Sequence, residues 1–537
     1  MNPTAPTSKP RSKRVPLASV ATLLVATSLI GQVLGFLRTK LVNANFPATG
    51  PNSTDAYFAA FNIPDFFFFT IAAGALGVAF IPVLADHLQR GDRKGVNELT
   101  TSLLNSMVII MFGIGVLMFV FAEQIIKHFV GPDQVHTGTL ILRMIAFNPL
   151  FFTISGVLTS LQQSLGRFFF YAIAPLFYNS CIIASAIVFS TAHGQSGGPG
   201  ELGVIGLGIG ALAGAVAQML VIGLGTINLR YRWQPRILWR SSDFRLILKQ
   251  LAPRSLDQGV DQLNSIVETK FAKDLGVGNI SYYNNAYVLS TAPALLIGTA
   301  ISTAAFPRLS QRLSQGRPDL FRNDFLKVLR AIIWITAPVV IISYFARGYL
   351  ARMIFTRSST EIALVFGFLA GAIFFRTIYT ILSRWFYAQK DTITPMFVSL
   401  FTISLNIFLA WWLTKSFDYG VAGLAIAQSV VAMVEVFILL AIMIRRDHGL
   451  INRVFWAGTA RIISVSGFSM IAGYMAVQLY PLGASDQGVL TLGTKLAVIS
   501  LVVFGTHVAV SALFGLAEAR IVLRRLRRFI FLPIRLE

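Results

Sequence analysis

Charge is scarce in this chain. Only 13% of its 537 residues are Asp, Glu, Lys or Arg, about half the share of an ordinary soluble domain. Cysteine is scarcer still: Cys181 is the single one, which excludes an internal disulfide and any cysteine-based metal site. His87, His128, His136, His193, His448 and His507 are scattered without metal-binding spacing. A glycine-rich loop followed by lysine, able to cradle nucleotide phosphates, is missing, so an ATP-driven pump would need a partner subunit. A carboxylate-based catalytic motif in a sizeable loop is missing too, which argues against a glycosyltransferase or any other enzyme. Acidic residues number 23 against 45 basic ones, for a net charge of +22. That balance does not imply nucleic acid, because no basic face with interleaved aromatics lies outside the apolar segments.

What the chain has instead is apolar length. It is 55% hydrophobic, with a mean hydropathy of +0.67. A spanning helix needs about 20 mainly apolar residues. Such blocks run over 17–43, 56–85, 99–123, 138–164, 168–192, 203–228, 245–272, 281–306, 325–346, 361–388, 393–414, 420–444, 456–480 and 490–516. The expected fold is an all-α polytopic membrane protein of about fourteen transmembrane helices. Basic residues gather in alternate loops, at Arg90, Arg93 and Lys94, at Arg167, from Arg230 to Lys249, from Arg308 to Arg322, and at Arg445 and Arg446. Loops 44–54, 193–202 and 481–489 have no Lys or Arg. The positive-inside rule then puts both termini in the cytoplasm, which an even helix count also requires. The polar start, residues 1–16, reads as a cytoplasmic tail rather than a cleaved signal. Anionic membrane lipid is the expected partner of the basic loops.

The sequence also repeats itself. Arg38-Thr39-Lys40 resembles Glu268-Thr269-Lys270, Asp55-Ala56-Tyr57 resembles Asn285-Ala286-Tyr287, and Phe80-Ile81-Pro82 is echoed by Phe306-Pro307. Gly203-Val204-Ile205-Gly206 matches Gly420-Val421-Ala422-Gly423. The predicted organisation is an N-lobe (17–228), a basic linker (229–250), a C-lobe (251–444), two added helices (445–516) and a basic tail (517–537). Parallel repeats put a substrate path between the lobes.

Ionisable residues inside spanning segments are expensive, about 2.5–3.5 kcal/mol each by insertion scales. Arg38 and Asp55 either snorkel at the outer interface or line a cavity mouth as a pair. The seventh block is the most polar. Asp257, Asp261, Asn264 and Glu268 recur at three- and four-residue spacing and so share one helical face. Two carboxylates on one face suit a proton or a monovalent cation such as Na+, with Asn406 able to add a neutral oxygen or to make a helix–helix hydrogen bond. No other metal and no cofactor is expected. Phe66 to Phe69 form a packing run or an apolar groove wall. Arg384, before Trp385, invites a cation–π contact.

Several of these segments resemble the MurJ/MviN lipid II flippases of the multidrug/oligosaccharidyl-lipid/polysaccharide exporter superfamily. The similar runs are Val33 to Arg38, Thr54 to Phe58, Ala79 to Leu84, Gly166-Arg167-Phe168 with Ala174-Pro175 and Tyr178-Asn179, Ser281-Tyr282-Tyr283, Phe306 to Ser310, and Phe386 to Thr392 with Thr394-Pro395. The resemblance covers nearly the whole chain. It implies two lobes, a cationic central cavity, alternating access and an undecaprenyl-linked peptidoglycan precursor as substrate. It also implies a bacterial inner-membrane location, and a monomer working beside peptidoglycan-synthesis proteins. The family usually has arginine where this chain has Gln32, an arginine pair and a glutamate where it has Phe68, Phe69 and Ala73, and Asp-Arg where it has Asn285-Ala286. Substrate contacts are accordingly expected at Arg38, Asp55, Gln32 and Asn285, with Lys270 as a partial substitute. The missing arginines leave two alternatives: a flippase for another lipid-linked oligosaccharide or exopolysaccharide, and a transport-inactive scaffold of the same fold.

Overall fold

A computed structural model describes residues 17–73, 80–190, 202–229, 231–389, 391–520 and 523. The basic tail 1–16, most of the tail 517–537 and most of the loop 193–202 lie outside the described residues. Among the described residues every regular element is helical. The first half holds α1 (Leu17–Asn45), α2 (Thr54–Phe68), α3 (Ile81–Gln89), α4 (Arg93–Val120), α5 (Ala122–Ile126), α6 (Val135–Ile145), α7 (Asn148–Ser164), α8 (Phe169–Val188) and α9 (Ile205–Thr226). The second half holds α10 (Ser242–Asp274), α11 (Asn279–Pro293), α12 (Ala300–Ser314), α13 (Pro318–Phe345), α14 (Arg347–Ile354), α15 (Ser359–Ala388), α16 (Ile393–Lys415) and α17 (Gly420–Arg446), followed by α18 (Arg453–Leu479) and α19 (Val489–Leu513). Each of the apolar blocks read from the sequence contains helix, and among the described residues eleven spans are long and apolar enough to cross a membrane by length and composition. Outside those eleven stand α1, the interrupted pair α2–α3, and α10, whose polar face lowers its hydropathy.

The helix starts follow local chemistry. Asp92 caps α4 by accepting the Gly95 amide at 2.9 Å, and Asn452 caps α18 by accepting that of Phe455 at 2.8 Å. Pro318 opens α13, where the missing N–H costs nothing. Small residues then set how closely helices approach. A Cβ at Gly210 would run into Ser185 and one at Gly214 into Tyr178, so α8 and α9 pack almost backbone to backbone.

In the first half α1 packs on α8, α8 on α9, and α7 on α4 and α9; in the second, α15 packs on α13 and α17, and α16 on α17. The last hairpin, α18–α19, rests on α13 and α14, fixed by an Arg330–Glu518 ion pair at 2.7 Å and by Trp334 donating to Ser511 at 2.8 Å. The linker expected over 229–250 is shorter than the sequence suggested. Helix α10 begins at Ser242, and its first turns sink Phe244, Ile247 and Leu251 into the core of the first half beside Phe80, Leu103 and Met111. Farther along, α10 packs on α16, so one helix spans both halves.

A similar break stands in each half. Helices α2 and α11 are each 15 residues long, and each passes directly into a π-helical turn, Phe69–Ala73 and Ala294–Thr299 respectively. Pro64 and Pro293 precede these turns and remove amide donors from the ladder. Interrupted helices at corresponding places in two repeats are where transporters build binding sites.

Candidate functional site

A cavity of about 420 Å³ opens beside this break, within the usual range for small-molecule sites. Arg38 from α1 and Asp65 from α2 supply the two charges of its described lining. Asn62, Gln218, Gln262, Asn284 and Asn285 bring five side-chain amides from four helices. Tyr57, Phe68, Phe152 and Tyr178 form an aromatic wall, with Phe68 and Phe152 at 5.4 Å and Phe152 and Tyr178 at 5.3 Å between ring centroids. The Phe66–Phe69 run thus contributes groove wall through its last two rings. Arg38 acts electrostatically on Asp65, yet neither has a direct ion-pair partner among the described residues. The resemblance implied a cationic cavity; the described lining carries one charge of each sign.

The expected substrate residues separate. Arg38 and Asn285 line the cavity. Asp55 does not pair with Arg38 at the cavity mouth. It is 1% exposed, and its carboxylate accepts the backbone amides of Gly278 at 2.5 Å and Ser281 at 2.7 Å. That is the N-terminus of α11, where orphan amides and the helix dipole favour an anion. Gly278 sits there at φ +94°, a conformation that favours glycine. Thr54 and Ser281 share a 2.7 Å hydrogen bond beside it, and Asn43 accepts the Arg357 amide at 3.0 Å. These contacts latch the two halves together at the end carrying loop 44–54. Gln32 and Lys270 do not line the cavity. Gln32 lies six residues before Arg38, about 120° around the helix, and is half-buried. Lys270 is exposed, about 160° around from Glu268.

The second polar cluster is closed. Glu268 is 5% exposed, Asn406 2% and Gln428 4%. Glu268 Oε1 accepts from Asn264 Nδ2 at 3.0 Å, from Asn406 Nδ2 at 2.8 Å, and from Gln428 Nε2. Arg376 from α15 donates to Gln428 Oε1, and to the Tyr287 hydroxyl at 2.7 Å. Its guanidinium also lies 5.2 Å from the Tyr287 ring centroid. The structure therefore brings Glu268, Asn264 and Asn406 together; the side chains of Asp257 and Asp261 lie outside the described residues. Asn264 and Glu268 also line a small cavity of about 50 Å³, which shares Ser265 and Asn284 with the wall of the larger one.

Sequence reasoning missed Asp65, Arg376 and Gln428. Asp65 and Arg376 are ionisable residues within apolar blocks, which the cost of burying charge in lipid should have flagged. Arg384 makes a cation–π contact as expected in kind, but its ring is Phe306 on α12, 5.2 Å away, and not the adjoining Trp385.

A family model described as Lipid II flippase MurJ matches residues 50–486. Among curated relatives, a probable lipid II flippase MurJ of Buchnera aphidicola subsp. Acyrthosiphon pisum is 27% identical over 79% of this chain and 82% of its own. That of Bdellovibrio bacteriovorus is 24% identical over 93% of each. A solved structure titled as lipid II flippase MurJ in an inward closed conformation superposes with a TM-score of 0.75 at 20% identity, covering 92% of this chain and 98% of that one. An inward-facing multidrug resistance MATE transporter of the MOP superfamily gives 0.65 at 17% identity, over 80% and 98%. At these identities the solved structures speak for the fold.

Proposed function

This chain belongs to the lipid II flippase MurJ family, and from that membership we propose that it moves lipid II, a polyprenyl-diphosphate glycan, across the bacterial inner membrane by alternating access. It is a transporter and not an enzyme. The family match across residues 50–486 carries the reading. The cavity supports it chemically. A guanidinium binds diphosphate oxygens bidentately, side-chain amides suit sugar hydroxyls, and aromatic faces suit the apolar side of a sugar ring. We place both termini in the cytoplasm, which makes the latch at Asp55 the outer gate, closed here.

For coupling, we propose that Glu268 with Asn406 takes up H+ or Na+ during the reset. Arg376 orients Gln428 so that its amide nitrogen, not its oxygen, faces the carboxylate. Asn406 Oδ1, buried and without a hydrogen-bond partner among the described residues, is a neutral oxygen left spare in the cluster. The second reading, another lipid-linked oligosaccharide, is favoured by one observation, the balanced charge of the described cavity lining. Complementation of a strain depleted of its lipid II flippase separates the two. Growth rescue is expected; failure by a correctly inserted protein sinks lipid II as substrate.

A further inference from the structure

A second cavity, of about 370 Å³, lies away from the transport cavity, at the basic face of the first half. Four helix ends converge on it. Leu88 comes from α3, Arg93 opens α4, Leu161 closes α7 with Leu165 and Arg167 just beyond, and Leu229 follows α9. Arg93 and Arg167 are exposed, and neither guanidinium meets a carboxylate among the described residues. The remaining wall is mostly leucine. Two unpaired guanidinium groups on an apolar pocket fit an amphiphile with an anionic head.

Leu229 and Tyr231 bring the linker into the pocket wall, and the linker is fixed. Thr101 and Tyr231 share a 3.2 Å hydrogen bond. Asn97 pairs with the Arg232 backbone on both sides, at 2.7 and 2.9 Å. Asn105 donates to the carbonyls of Gln234 and Arg236 at 2.7 and 2.9 Å and accepts the Trp233 indole N–H at 2.8 Å. Asn97 and Asn105 are about 12 Å apart along α4 by helical rise, so this strap runs down the helix toward the apolar zone. Along it Trp233 and Trp239 remain 60% and 59% exposed, beside exposed Arg232, Arg236 and Arg240. Exposed tryptophan interleaved with arginine is the composition of a headgroup interface.

We propose that this pocket binds an anionic phospholipid of the adjoining leaflet. Its phosphate diester lies between Arg93 and Arg167, and the start of an acyl chain lies against Leu161, Leu165 and Leu229. A free phosphate would use the arginines and leave the leucine wall and the tryptophans without a role.

The test is native mass spectrometry of the full chain with phosphatidylglycerol, phosphatidylcholine or inorganic phosphate. Wild type is compared with Arg93→Gln/Arg167→Gln and with Arg90→Gln/Lys94→Gln, which removes equal charge from the same face outside the pocket. All four side chains are exposed, so folding is not at stake. Phosphatidylglycerol should bind wild type in preference to phosphatidylcholine. The pocket variant should lose on the order of twentyfold in affinity, at about fivefold per cationic side chain near an anionic headgroup, and the control less than about threefold. Equal loss in the control, no loss in the pocket variant, no preference for phosphatidylglycerol, or full competition by inorganic phosphate would each overturn the proposal.

Discussion

The two polar regions of this protein use similar side chains to opposite ends. Around Glu268 the carboxylate, the amides of Asn264, Asn406 and Gln428, and the Arg376 guanidinium are turned on one another. Around Arg38 and Asp65 the amides and the charges face an opening of about 420 Å³. The same contrast runs along α2 alone. Asp55 is saturated by the α11 amides, whereas Asp65 faces the cavity. Bonds already made hold helices together, and a polar group facing a cavity is available to a ligand; Glu268, which also lines the small cavity, does both.

The largest expected effect comes from opening the closed cluster. Glu268→Ala would leave the Asn264, Asn406 and Gln428 amides without their shared acceptor and the nearby Arg376 guanidinium without a countercharge, costing about 3 kcal/mol. Thermal melting in detergent would register it, and an unchanged melting temperature would erase the contrast. In the open region the loss should be functional. Arg38→Ala should cut lipid II flipping in proteoliposomes by roughly tenfold to a hundredfold, the worth of hydrogen bonds to a charged group, with melting unchanged. A variant that unfolds instead would move Arg38 to the structural side.

How far the sequence disclosed this contrast depended on whether a residue's partner lay on its own helix. Asn264 and Glu268 share a face by spacing alone, and their bond was foreseeable from 3.6-residue periodicity. The spanning blocks follow from hydropathy, whereas the breaks after α2 and α11 were not read from Pro64 and Pro293 and emerge only in the structure. Asp55 was legible as a special residue but not in its role, because its partner is a helix end more than two hundred positions away. Arg376 and Gln428 acquire meaning only when α15 and α17 pack beside α10, and no periodicity encodes that meeting. Asp65 was hidden between Pro64 and the phenylalanine run.

A smaller effect probes the latch. Asp55→Asn removes the anion from the α11 N-terminus, worth about 1 kcal/mol. In a Cys181→Ala background, a cysteine replacing Ser281 should then react with a membrane-impermeant maleimide roughly fivefold faster. Unchanged labelling would show that Asp55 does not hold the gate.

The smallest concerns His87, at the opposite end of the first half. Its ring contacts Asp92 at 2.8 Å and Asp243 at 3.0 Å, joining the α3–α4 turn to the start of α10. Burial alone would lower its pKa, but the bonds and charges of the two aspartates outweigh that and raise it. The protonated ring is therefore favoured by folding. Its contribution is complete below about pH 6.5, the unfolded value, and is lost as pH rises through the raised folded value. Between about pH 6 and pH 8 the wild type should lose melting temperature relative to His87→Gln, on the order of a degree. Parallel pH profiles would remove His87 from the account.

The most direct test of the central claim, that the Arg38–Asp65 cavity is where the lipid-linked glycan is held, is site-specific photocrosslinking in membranes supplied with labelled lipid II. Benzoylphenylalanine at Phe61, on the cavity wall, should capture lipid II, and the adduct should disappear with Arg38→Ala. The same probe at Trp411, 48% exposed on α16, should give no more than background. Adducts of equal yield at both positions, or an adduct at Phe61 indifferent to Arg38, would contradict the assignment.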